Sequence, residues 1–100
     1  ESAKQLLWKE EPNKEKTVER LAHAAKLLEV LAISDFADQE KVKQALWKYA
    51  EEQGKGSVLW PIRFALSGVA KSPDPFTLAS LLGKHETLAR LNDAITLLSV

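Results

Sequence analysis

From residue 14 to residue 32 the apolar side chains Val18, Leu21, Ala22, Ala25, Leu28 and Ala32 recur at three and four, while Lys16, Glu19, Arg20, His23 and Lys26 fill the other face. That period brings the apolar set to one side only in a helix. A helix with one apolar stripe must bury it against another element, and the rest of the chain offers only more helices. Residues 39–53 repeat the pattern with Val42, Ala45, Leu46 and Tyr49, between an Asp38 suited to cap the start and a Gly54 suited to end it. A third helix is expected from a cap at Ser57 or a neighbour to about Ser67, with Pro61 tolerated in its first turn and Gly68 as its stop. Asp74 followed by Pro75 is a cap followed by the preferred first helical residue, opening a short helix that Gly83 terminates. A last helix, about 84–99, turns Leu88, Leu91, Ile95 and Leu98 inward. The expected fold is therefore all-α, a bundle of about five short helices.

One hundred residues without cysteine make one domain, or one domain and a remnant of another, with no disulfide or cysteine-held zinc to support it. Residues 1–13 read as a separate piece, the stub of a preceding segment or a docking strand or turn. There Leu6, Leu7 and Trp8 form a cluster too short to stand alone, and Pro12-Asn13 marks a boundary. Residues 14–100 are the helical domain. No apolar run approaches the ~20 residues of a membrane span, and charges occupy the place of a secretory signal's apolar stretch. A soluble, cytoplasmic chain is expected, with no membrane partner.

Candidate chemistry is sparse. Asp35, Asp38 and Glu40 are expected as caps and first-turn dipole partners rather than an acidic catalytic cluster. His23 reads as a surface histidine paired across one turn. His85 lies at a helix start, and neither histidine has a second ligand or a nucleophile at fixed spacing. Gly54-Lys55-Gly56-Ser57 is a connector and not a phosphate loop, which would need a preceding strand and a longer glycine pattern. Lys84 and Arg90 read as solvated helix charges. Phe36 is expected to anchor in the core, and Trp47 to cover its edge or join a contact surface.

The remaining signal lies between Gly56 and Phe76, GSVLWPIRFALSGVAKSPDPF. An aromatic (Trp60), an arginine (Arg63) and a second aromatic (Phe76) gather around two helix beginnings and the turn Ser72-Pro73-Asp74. These are the parts needed to stack on bases and hold a phosphate or base edge. The charge, 14 basic against 14 acidic residues, points to few such contacts, because a free-standing nucleic-acid binder carries a basic excess.

Gly56, Leu59 to Arg63, Ala65 to Gly68, Pro73, Pro75, Phe76 and Leu82 to Lys84 match in order and spacing a Gly-Xaa-Xaa-Leu-Trp-Pro-Leu-Arg-Xaa-Ala-Leu-Ser/Thr-Gly run, a Pro-Gly-Pro/Leu-Phe turn, and a Leu-Gly-Lys-Glu run. In these features the chain resembles the C-terminal anticodon-binding region of bacterial-type glutamyl-tRNA synthetases. The resemblance implies an α-helical cage of the class I synthetase type, against whose Arg63, Ser72, Pro73, Pro75 and Phe76 the anticodon bases lie, with Trp60 a further candidate. It implies as partners the anticodon loop of tRNA(Glu) and the rest of the synthetase chain, with no DNA, in a monomer. It also implies that this piece is not itself an enzyme. The chain holds no segment like the family's nucleotide-binding signatures, so no cofactor is expected here, and ATP and Mg would serve the parent glutamate–tRNA ligase. One departure is Asp74, where the family commonly has glycine; a carboxylate there repels an RNA backbone unless it is turned to capping. The alternative expectation is a helical protein–protein interaction module on the same fold, motivated by the zero net charge, Asp74, and an apolar patch at Trp8 and Trp47.

Overall fold

A computed structural model of the chain describes residues 13–69 and 72–99. Four helices follow one another, α1 (Lys14–Glu29), α2 (Gln39–Gln53), α3 (Lys55–Ser67) and α4 (Pro75–Leu98), with a 3-10 turn at Ile33–Ala37 between the first two. Among the described residues there is no strand. The expected lead-in with Leu6, Leu7 and Trp8 lies outside the described residues.

Helices α1, α2 and α4 each begin where a side chain serves the free amides, while α3 begins at Gly54 without a side-chain cap. Asn13 accepts from the Lys16 N–H at 2.9 Å, Asp38 from Glu40 N–H at 3.0 Å, and Asp74 from Thr77 N–H at 2.9 Å. Helix α1 ends earlier than its apolar pattern suggests. Asp35 takes the Ala32 N–H at 3.0 Å, which closes the 3-10 turn and draws residues 30–32 out of the helix. The stripe is also rotated. Arg20, expected on the polar face, is buried together with Thr17, Leu21, Ala24 and Leu28, while Ala32 is exposed. Phe36 drops from the 3-10 turn into the core, fully buried.

Helix α3 starts earlier than expected. Gly54, at φ 105°, turns the chain so that Val58 N–H already bonds to its carbonyl at 3.1 Å. Ser57 is therefore a buried first-turn residue and not the cap, and Pro61 lies in the helix interior, where one i→i−4 bond is forgone. Pro61 is itself buried, so its ring packs in the core.

Helix α4 is two arms. Gly83 interrupts it at φ 84°, ψ 170°, a region essentially reserved to glycine. The expected short helix and last helix are thus both present, joined at a break. The buried Thr87 hydroxyl donates across it to Ala79 O at 3.4 Å. Two cations then tie α4 to its neighbours. Lys84 Nζ donates to Leu31 O at 2.7 Å, beyond the end of α1, and Arg90 Nη1 donates to Leu66 O in the last turn of α3. These carbonyls lack intrahelical donors, and the two side chains supply them. Lys84 and Arg90 are staples rather than the solvated charges the sequence suggests. No helix of the described residues is long and apolar enough to cross a membrane.

Candidate nucleic-acid interface

Three residues apart on α3, Trp60 and Arg63 share one face of the helix. The Arg63 guanidinium carbon stands 5.2 Å from the centre of the Trp60 ring, within cation–π range. Opposite them the chain returns through the turn after α3, and Pro75 and Asp74 close a groove of about 320 Å³ whose α3 wall is Lys55, Gly56, Leu59, Trp60 and Arg63. Gly68 (φ 76°) ends α3 with a left-handed cap whose N–H donates to Phe64 O at 2.7 Å.

Asp74 forms the lip of this groove. Partial burial would raise its pKa, but the Thr77 N–H and hydroxyl, then the Phe76 N–H and its own, outweigh that and hold the carboxyl below the usual carboxylate range. Thr77 Oγ1 sits 2.9 Å from Asp74 Oδ2 and 2.6 Å from Gln39 Oε1, which links the cap to the start of α2. The charge that departs from the family's glycine is thus largely engaged by its own helix.

On the other side of Asp74 lies a second depression of about 300 Å³, lined by Gln39, Glu40, Lys43, Trp47 and Phe76. Phe76 is only 8% exposed and meets Trp47 edge-on, with ring centres 6.3 Å apart at 61°. Trp47 itself is flanked by cations: Lys43 Nζ lies 4.8 Å and Lys55 Nζ 4.6 Å from its ring centre. The indole proposed for an exposed apolar patch is half-buried between lysines.

The structure therefore brings Trp60, Arg63 and Pro75 to one groove. Ser72 and the exposed Pro73 lie in the adjoining turn, where the Ser72 hydroxyl donates to Pro73 O at 3.2 Å. Phe76 sits beneath, as a buttress to Trp47. Sequence reasoning did not connect Lys43 and Lys55 to this region. The i, i+4 spacing of Lys43 and Trp47 carried half of that signal, and the approach of Lys55 carried none, since it depends on how α3 packs on α2. Elsewhere, His23 is exposed and stacked on Tyr49, ring centres 4.1 Å apart. Tyr49 has its pKa raised, by burial first and by Glu19, against the lowering influence of Arg20. Asp35 and Asp38 are engaged as caps, as expected.

A family model described as an anticodon binding domain matches residues 2–95. The glutamate–tRNA ligase of Azorhizobium caulinodans is 39% identical over 92 residues, covering 88% of this chain and 19% of that protein. That of Phocaeicola vulgatus is 32% identical over 100 residues, 98% of this chain and 18% of that protein. Glutamate–tRNA ligase 1 of Methylobacterium radiotolerans is 42% identical over 76 residues, 74% of this chain. The chain spans about a fifth of the length of the first two, 19% and 18%. No solved structure matches it. With a helical fold, a proline turn facing the Trp60–Arg63 wall and a match over nearly its whole length, the chain belongs to the anticodon binding domain family.

Proposed function

We propose that this domain reads the anticodon loop of a glutamate tRNA and so supports ATP-dependent attachment of glutamate by the catalytic part of a glutamate–tRNA ligase. The observation that carries the reading is the groove of about 320 Å³ that Trp60 and Arg63 of α3 line together with Pro75. Arg63 offers a planar fork of donors to a base edge or phosphate. Trp60 offers a face for stacking, worth about 1 to 3 kcal/mol per base. Ser72, Pro73 and Pro75 shape the opposing turn, and Phe76 holds that turn in place from below. The domain acts as a monomer, with the rest of the ligase chain as its neighbour. Among the described residues no three His, Cys, Asp or Glu side chains gather as a metal site. ATP and Mg belong, in this reading, to the catalytic part.

Titration with a glutamate-tRNA anticodon stem-loop, followed by backbone amide NMR shifts at low and moderate salt, tests the proposal. Shifts gathered on Arg63, Ser72, Asp74 and Phe76, the residues of this region with an amide proton, are the expected result. Absent or scattered shifts at low salt would remove the anticodon-loop reading and favour the protein-interaction module.

A further inference from the structure

Lys43 and Lys55 come from different helices, yet both ammonium groups are held within 5 Å of the centre of one indole. They are therefore within about one Debye length, ~10 Å at 0.1 M salt, of each other, and repel. Among the described residues neither forms an ion pair with a carboxylate. Lys55 also lines the groove of Trp60 and Arg63, and Asp74 borders both that groove and the depression of Trp47 and Lys43. The two hollows are thus adjacent stations on one path, with Lys55 between them. Along it three cations, Lys43, Lys55 and Arg63, face two carboxylates, Glu40 and Asp74, of which Asp74 is taken up by Thr77. A chain of zero net charge has concentrated a positive excess here.

From this arrangement we infer that Trp47, Lys43 and Lys55 form a phosphate clamp for the RNA strand, a second contact beyond the groove of Trp60 and Arg63. The inference rests on the anticodon-loop reading and extends it. Trp47 is a mount and not a stacking platform: lysines already occupy the space over its ring, and its edge is fixed by Phe76. Its quadrupole holds two flexible lysine side chains at one ring, which lowers the cost of ordering them along an anionic strand. The ligand is the RNA backbone, one phosphodiester to each lysine. Lysine grips it as a point charge without reading the base, so the clamp adds affinity and leaves sequence preference to the groove.

The test compares the full chain with Lys43→Gln/Lys55→Gln, Lys43→Arg/Lys55→Arg and Arg63→Ala, using a glutamate-tRNA anticodon stem-loop and the same hairpin with a scrambled loop, between 50 and 200 mM salt. Lys55 is exposed and Lys43 half-buried, and glutamine keeps part of each apolar stem, so the glutamine pair keeps the fold. Each lysine lost should reduce the steepness of log K against log salt by about 0.7, with the same fold-loss on both hairpins. The arginine pair should restore binding, and Arg63→Ala should erase the preference between loops. An unchanged slope and affinity in the glutamine pair overturns the clamp; the groove reading survives if Arg63→Ala still loses its preference. A loss confined to the cognate loop also overturns it, because the lysines would then be reading bases. So does equal binding of a polyglutamate peptide of matched charge that is lost equally in the glutamine pair. If the parent chain binds neither hairpin, clamp and groove fall together.

Discussion

Asp74 does two things that pull in opposite directions, and both follow from where its carboxylate lies. As the cap of α4 it accepts from Thr77 N–H; as the lip of the groove it sets a negative charge beside the path proposed for RNA. Asp74→Ala should cost about 1 kcal/mol of stability, the usual value of a lost N-cap. Because the folded pKa is depressed, this stabilisation is fully present above the unfolded value of about 3.9 and is lost as pH falls through the lower folded one. The gap in denaturant midpoint between parent and variant should accordingly be constant from pH 7 to 5 and shrink below pH ~4. Asparagine caps as well as aspartate, so Asp74→Asn should keep the stability while tightening binding of the stem-loop; unchanged or weaker binding would show that this charge does not oppose the RNA. Arg63 is the converse case, a residue whose value is in the ligand. Arg63→Ala should weaken binding about tenfold, in line with ~1.5 kcal/mol for a hydrogen bond to a charged group, with little effect on melting. Arg63→Lys should restore little of it if the guanidinium acts as a fork. Trp60 and Arg63 could be picked from the sequence because residues three apart on a helix share a face. The inward turn of Phe76 could not, since a Phe after a helix-opening proline reads the same whether it faces solvent or Trp47.

At the scale of elements, the sequence was most informative where a side chain both caps a helix and is the only candidate to do so. Helix α2 lies between Asp38 and Gly54 as its pattern requires. Helix α3 escaped because the rule confining proline to the first turn was stronger than the signal of Gly54, whose positive φ begins the helix before Ser57. Helix α1 escaped because Asp35 caps backward onto Ala32, a contact that periodicity does not encode. The Leu82-Gly83-Lys84 run gains its meaning only here. Gly83 takes a conformation other residues pay about 1–3 kcal/mol to adopt, and that break aims Lys84 at the end of α1. No atom lies within 4 Å of where a Cβ would stand, so Gly83→Ala should suffer from backbone strain alone. A fall in Tm of about 4 °C or more is expected, using 4–8 °C per kcal/mol for a domain of this size; an unchanged Tm would mean that α4 can straighten. Lys84→Met keeps the apolar stem and removes the donor to Leu31 O, at a cost of about 1.5 kcal/mol. Its RNA affinity should match the parent's, which separates a staple between helices from a contact with ligand.

For the molecule as a whole, 14 positive and 14 negative side chains generate little long-range attraction for a polyanion, so binding must come from the few cations that are gathered locally. Lys43, Lys55 and Arg63 are the cations lining the two hollows beside Asp74. If each meets one phosphate of a single-stranded loop, log K should fall against log salt with a slope of about −2, that is, by roughly 20-fold between 50 and 200 mM. A binder making six to ten phosphate contacts loses about 10³ to 10⁵ over the same range, so the two regimes are easily told apart by titration. A slope near −2 would agree with the proposed reading, in which this domain contributes selectivity and a catalytic part supplies the bulk of tRNA affinity. A much steeper slope would require cations outside both hollows, and would shift the contact surface toward other lysines of the helix faces. A slope near zero would leave stacking on Trp60 as the main source of binding, and Trp60→Ala would then be more damaging than the loss of all three charges.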